Sequence, residues 1–347
     1  MKTDRRLSSI RTLFSTRVSS GLLLGAVFAS GMMASSCRAQ YTDREIQQAL
    51  DRLPTGGGEV RLGPHVYTIS QPVVLQQDGQ SLRGSGPETL LRLADGANCP
   101  VVILGQSAIR PVRAVKRLSL SDLAIDGNRL GQQQELWETT PVGYQICNDG
   151  VIVRTVADSA VERVVAAHCR SGGLVVTLDC RRVRLSMVTA FDNQFDGLAC
   201  TNSAECSFSH LNLHDNLAAG ISLDFSLNHN EFSDARLTHN RVGLFMRDSH
   251  DNIFRKLVIR QSLEHGIFMA QSVQQKPGGW QLVPHTECLR NSFIDLEISD
   301  SGGPAFRVND ATCTPNLISG VRFHNNPKGG LSLAAPGILV VRGLVED

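Results

Sequence analysis

The sequence is poor in aromatic residues, has almost no net charge, and has no apolar run long enough to cross a membrane. Aromatics are 5% of its 347 residues, which argues against a large aromatic core. With 34 basic and 33 acidic side chains the formal charge is +1, so neither a polybasic nucleic-acid binder nor an acidic tail is expected. The most apolar stretch, residues 21–34, has 14 residues, short of the ~20 that a spanning helix needs. No Cys-x-x-Cys or His-Glu-x-x-His spacing occurs and the ten histidines are scattered, so a zinc site is not expected. What the chain does have is glycine, 31 residues of it, and a regular supply of asparagine, a composition of many short strands and turns.

Lys2, Arg5, Arg6, Arg11 and Arg17 precede the apolar run and small residues follow it, the order of a secretory signal. Residues 1–39 are therefore read as an export signal and 40–347 as the mature domain. Ala34-Ser-Ser-Cys37 resembles a bacterial lipobox with Ala in place of the usual Leu. On that reading a lipid on Cys37 is the chain's one link to a membrane; the alternative is soluble export with cleavage before Gln40. Either way a periplasmic, outer-membrane or extracellular protein is expected.

Short strands opened by glycine recur as Gly150-Val-Ile-Val, Gly173-Leu-Val-Val, Gly197-Leu-Ala-Cys, Gly220-Ile-Ser-Leu, Gly243-Leu-Phe-Met and Gly266-Ile-Phe-Met, at intervals of 23, 24, 23, 23 and 23. Gly303-Pro-Ala-Phe and Gly330-Leu-Ser-Leu continue the series after 37 and 27, the first excess being an insert at 271–287. A second column holds Asn128, Asn193, Asn216, Asn240, Ser262, Ser301 and Asn326, and a third Asn230, Asn252, Asn291 and Asn316. Strands of three to five residues cannot bury an apolar face alone, but stacked coils bury a continuous one. The expected fold is all-β, a right-handed single-stranded parallel β-helix solenoid from about residue 58 to 345, its asparagines stacked for structural reasons. Thr42-Asp-Arg-Glu45 is a capping box, and Ile46, Ala49, Leu50 and Leu53 lie at helical spacing, so a helix at 42–53 is expected to cap the open end.

Pro54-Thr-Gly-Gly-Gly, Val60-Arg-Leu-Gly-Pro-His-Val-Tyr67 and Leu82-Arg-Gly-Ser-Gly86 resemble the opening of the pectate-lyase-like superfamily of right-handed β-helix proteins. The resemblance implies the fold and an exported carbohydrate-active enzyme with a polysaccharide or oligosaccharide partner. The superfamily includes calcium-dependent lyases, but no carboxylate cluster is dense enough to assign a calcium site, and no cofactor is assigned.

Nine cysteines in an exported chain invite disulfides. Cys288 and Cys313 each stand three residues before a third-column asparagine, which places them on neighbouring coils ~4.8 Å apart, within disulfide reach, so they are expected to be bonded or at least in direct contact. Cys147 and Cys169 are a looser pair of this kind, and Cys200 falls at an inward position.

In each glycine-opened strand the first and third residues after Gly point inward and the second and fourth outward. The outward stripe is Ile152/Arg154, Val175/Thr177, Ala199/Thr201, Ser222/Asp224, Phe245/Arg247 and Phe268/Ala270. Phe245 and Phe268 stack one coil apart, either as a platform for a sugar ring or as packing under an insert. Asp224 lies beside Arg247, either as a surface ion pair or as a reacting centre. The insert at 129–147 carries Trp137 and Tyr144, and that at 271–287 carries Trp280. They are expected to wall a groove five coils or about 24 Å long, with Arg154 and Asp196 among the residues that bind substrate.

Glu264-His265-Gly266 resembles the Gly-His-Gly element of polygalacturonases, and Asp196-Gly-Leu the strand carrying their first acidic residue, yet their paired aspartates would fall near Ala219-Gly220. Asp248-Ser-His250 is similar to the Asp-Pro-His of alginate C5-epimerases but lacks the proline. Lyase or epimerase chemistry on a uronate needs a cation for the sugar carboxylate and a base for the C5 proton. Asp224, Arg247 and His265 are the catalytic candidates on this reading. A uronate lyase or epimerase therefore ranks first, a glycoside hydrolase second, and a non-catalytic module binding glycans or partners third.

Overall fold

The computed structural model describes residues 41–136, 146–276, 279–282 and 286–347, with the backbone alone for 273–276 and 279–282. The export signal with Cys37, both Trp137 and Tyr144, and the side chain of Trp280 lie outside the described residues. Among the described residues no helix is long and apolar enough to cross a membrane.

A helix forms over Asp43–Asp51 where the capping box predicts one, and Thr42 N donates to Glu45 Oε2 at 3.0 Å. Its apolar face buries Ile46 and Leu50 against the first coil. Gln47 then closes a strand edge. Val74 N donates to Gln47 Oε1 at 2.8 Å and Gln47 Nε2 donates to Val74 O at 3.1 Å, occupying groups that an open edge would leave unpaired.

From Gly58 to Glu346 the chain winds as a parallel coil, each full turn giving one strand to a ten-stranded sheet and two to a sheet of 22 among the described residues. Ser207–Ser209, Asn212–His214 and Ala219–Asp224 are repeated one turn later as Glu231–Ser233, Arg236–Thr238 and Val242–Arg247, all paired in parallel. Corners are turned by single left-handed residues such as Asp192, Asp215 and His239, with φ of 51°, 55° and 54°. Asn, Asp and His tolerate that conformation better than most residues, which accounts for their periodic supply.

Both asparagine columns are hydrogen-bonded ladders. Asn230 N and Nδ2 donate to Asn252 Oδ1 at 3.0 Å each, Asn252 repeats the pattern on Asn291 at 3.0 and 3.1 Å, and Asn291 on Asn316 at 2.9 and 3.1 Å. The other ladder runs through Asn193, Asn216 and Asn240, with Cys169 taking the place before Asn193. Asn128 turns its amide instead to Leu93 O and Asp95. Inside the coil Phe208, Phe232, Phe254 and Phe293 stack with centroids 4.4, 5.1 and 4.8 Å apart. The glycine column answers a lack of space: a Cβ at Gly220 would lie 2.8 Å from Asn240 Nδ2 and 2.9 Å from Gly243 O.

The register expectation is corrected at one coil, and the cysteine expectation is met as contact without a bond. Ile267 pairs with Phe306, so Ala305 takes the column position after Gly266, and Gly303 lies two residues earlier with its α-carbon against the His265 ring. A longer corner on that coil absorbs the difference. Cys288 and Cys313 do touch, Cys288 N donating to Cys313 Sγ at 3.4 Å, but both are free thiols, as are Cys147 and Cys169.

Asn252→Ala is expected to cost about 2–4 kcal/mol, because in a dry interior it strands the backbone N–H of Asn230, takes one acceptor from the Asn230 carboxamide and removes the donor to the carbonyl of Leu227. Denaturant unfolding of the variant beside the parent checks this; a loss below about 1 kcal/mol would mean that the ladder contributes little.

Candidate active site on the outer face of the ten-stranded sheet

The register sets two outward rows side by side, Ile152, Val175, Ala199, Ser222, Phe245, Phe268 and Arg154, Thr177, Thr201, Asp224, Arg247, Ala270. The first rung is closed. Ile152 is buried in an apolar cluster with Ile103 and Ile146, and Arg154 is fully buried, its Nη1 donating to Gln106 O and Ala108 O at 2.8 Å each. Arg154 therefore does not face the groove as the alternation implies, because the loop at 106–108 folds over it. The open floor runs from Val175 to Phe268.

At the far end of that floor Asp224, 6% exposed, holds Arg247 by an ion pair between Oδ2 and Nη2. Its other oxygen accepts from Ser272 Oγ and from Phe225 N, both at 2.9 Å. Ser272 opens the second insert, whose ends meet there: Ser272 N and Asp248 N both donate to Thr286 O, at 3.3 and 3.1 Å. The Arg247 guanidinium lies 5.0 Å from the centre of the Phe245 ring, and its Nε is buried with no partner among the described residues. Phe245 and Phe268 stack at 5.6 Å, and His265 stacks on Phe268 at 5.4 Å, so three rings form one platform. Arg307, which the sequence reading passed over, sits 5.9 Å from the Phe268 ring.

A family model described as the right-handed β-helix region matches residues 149–338. The chain belongs to that family. Its solved relatives in shape include the A-module of mannuronan C-5 epimerase AlgE4 from Azotobacter vinelandii, at TM-score 0.63 and 16% identity over 88% of this chain and 96% of that one. An endo-xylogalacturonan hydrolase from Aspergillus tubingensis aligns at TM-score 0.60 and 13% identity over 88% and 89%. A Geobacillus virus E2 protein, ORF18, aligns at TM-score 0.65 and 13% identity over 88% and 60%. No curated protein matches the sequence. At these identities the likeness is one of fold, a right-handed parallel β-helix.

Within this β-helix, His265 is not brought to the Asp224–Arg247 pair. Leu244 pairs with Ile267, which puts His265 opposite Val242, five residues and about 16 Å along the strand from Arg247. Its pKa is lowered by burial and by the charge of Arg307. Asp248 and His250 follow Arg247 at the corner of the same coil. Asp248 Oδ2 accepts from Ser226 N at 2.9 Å and Ser226 Oγ at 3.2 Å, and Oδ1 lies 3.6 Å from His250 Nε2. Burial raises the Asp248 pKa. Asp248 turns that corner at φ 40°, and the nearby Asp224 charge adds to the effect of burial on its carboxyl.

Asp149 and Asp196 share the column of His265. Burial pushes them up to about 7 and about 6, and each accepts a backbone N–H of the next coil at 2.7 Å, from Gly172 and Ala219. Calcium would need six to eight oxygen ligands. Among the described residues no three acidic, histidine or cysteine side chains are grouped to hold a metal, and the Asp224 oxygens are already spent, so these residues do not fit a calcium site.

The burial of Asp224 separates this pair from an exposed one. Asp224→Ala is expected to cost about 2–4 kcal/mol, since it leaves Arg247 and Ser272 without their acceptor in a nearly dry site. An exposed pair loses about 0–1 kcal/mol, and chemical unfolding of the variant distinguishes the two.

Proposed function

We propose that this β-helix protein is an exported enzyme acting on an acidic polysaccharide, as a uronate lyase or C5-epimerase. The observation that carries the reading is Arg247, a guanidinium steadied by a buried carboxylate and an aromatic face, with 28% of its side chain still open. Relatives in shape include proteins named for epimerisation of mannuronan and hydrolysis of xylogalacturonan. Export rests on the signal read in residues 1–39.

On this reading Arg247 neutralises the carboxylate of the bound uronate, which makes its C5–H more acidic. The Asp248–His250 pair accepts the C5 proton. In a lyase the C5–H electrons become the C4=C5 double bond, the C4–O bond breaks, and the departing oxygen takes up a proton. In an epimerase a proton returns to C5 from the opposite face. Asp224 holds Arg247 and is not the base, since both of its oxygens are engaged. Phe245, Phe268 and His265 offer ring faces to neighbouring sugars. A second reading, glycoside hydrolysis, draws on the raised pKa values of Asp149 and Asp196. Those two stand two strands or about 10 Å apart in the sheet, near the wide end of the separation used by inverting enzymes.

Incubation with acidic and neutral polysaccharides is expected to give an unsaturated product absorbing in the ultraviolet, or inverted C5 centres by NMR. New reducing ends without unsaturation would favour hydrolysis, and no product at all would leave a glycan-binding surface. Arg247→Ala, Asp248→Asn and His250→Ala are each expected to lower turnover roughly a hundredfold, whereas His265→Ala, which removes one ring of the binding platform, is expected to raise KM with turnover at saturation near the parent. Asp248 must be ionised to take a proton and its pKa is raised. Turnover is therefore expected to climb with pH through a value above the ~3.9 of an ordinary aspartate, a limb that Asp248→Asn removes.

A further inference from the structure

The repeat is irregular at one corner of the coil. After Leu174–Thr177 and Ala219–Asp224 the chain turns with two left-handed residues, Leu178 and Asp179 at φ 53° and 61°, and Phe225 and Ser226 at 50° and 61°. After Leu198–Thr201, on the coil between them, Asn202 alone suffices, at φ 42°. The two longer corners stand proud of the shorter one. Between them lies a cavity of about 220 Å³ whose lining includes Asp179, Asn202, Ser203, Ser226 and Asn228.

Part of that lining is fixed and part is unspent. Ser203 Oγ donates to Thr201 O at 2.8 Å, Ser226 is held by Asp248, and Asn228 Oδ1 accepts from His250 N at 3.0 Å. The Asp179 carboxylate, the Asn202 carboxamide and Asn228 Nδ2 have no partner among the described residues. Arg181 at the rim is balanced by Glu205 at 3.4 Å, so the uncompensated charge of the recess is that of Asp179.

We infer that this recess is a subsite for one neutral pyranose residue, so that the polymer in the groove carries neutral sugars next to its acidic ones. The inference rests on the proposed function for the polymer, though not for the binding of a single sugar. The volume is below the ~300–1,000 Å³ of sites for drug-sized ligands and suits one ring. A free carboxylate accepts hydrogen bonds from adjacent hydroxyls, and carboxamides both donate and accept, which is the chemistry of sugar recognition. The same carboxylate repels a uronate. Through Ser226 and Asn228 the recess abuts Asp248 and His250, so a sugar held there neighbours the reacting unit.

The test titrates the full-length protein with the methyl glycosides of glucose, galactose and mannose and with methyl glucuronide and galacturonide, followed by saturation-transfer NMR. At least one neutral glycoside is expected to bind and the uronides are not. Asp179→Asn and Asn202→Gly, both compatible with left-handed backbone, are each expected to weaken that binding about tenfold, whereas Arg247→Ala leaves it unchanged. Binding of none of the neutral glycosides, equal binding of the uronides, or parental affinity in both pocket variants would overturn the subsite. A chain that binds a neutral glycoside through these residues yet transforms no polysaccharide upholds the subsite and sinks the proposed enzyme.

Discussion

Every coil of this protein is held at one register over the next, and the other features depend on that. At a spacing of about 4.8 Å each side chain has one neighbour above and one below. Asparagine suits such a column because one carboxamide can accept from the coil before it while donating to the coil after it and to a carbonyl. Asn230, Asn252 and Asn291 do this inside the turn, where no water could replace the bonds, and Asn316 ends the ladder as an acceptor that donates to Cys288 O and Cys313 O. A slip of one residue would break the ladder, drive the Phe208 stack outward, and set a side chain against the backbone at Gly220.

The places where the register is relaxed are the places that hold chemistry. The second insert leaves the sheet after Ala270 and returns Ser272 and Thr286 over Asp224, turning what would be a surface pair into a buried anchor for Arg247. The extra residues at two corners open a recess beside it, which a strictly regular coil would fill. In a solenoid whose core is satisfied by stacking, such departures carry little penalty for the coils on either side.

Charge is spent differently on the two sheets. On the larger one Arg163 with Asp122, Arg182 with Asp158, and Arg290 with Asp251 bridge successive coils as exposed pairs. Exposed pairs add little to stability, but together they mark matching neighbours along the stack. On the ten-stranded sheet Asp224 and Arg247 use the same chemistry in a nearly closed setting, with an aromatic face beneath the cation. Burial, and not the identity of the pair, is what sets this one apart.

The sequence by itself determined the repeat, the asparagine and glycine columns, the capping helix, and which side of each strand faces inward, because all of these follow from short periods and local geometry. The Asp224–Arg247 neighbourhood followed from the same counting. Only the tertiary structure decided which outward residues stay open. Arg154 and Asp224 occupy equivalent positions, but the first is sealed by a loop nearly fifty residues upstream and the second is braced by an insert nearly fifty residues downstream. The count of residues along a strand put His265 one coil away from Arg247, whereas the distance along the strand separates them. Asp248 and His250 are brought to within 3.6 Å of each other after Arg247 by a left-handed turn that alternation cannot foresee. The phase of a strand is written in adjacent residues, while its covering and its corners depend on contacts between segments far apart in the chain.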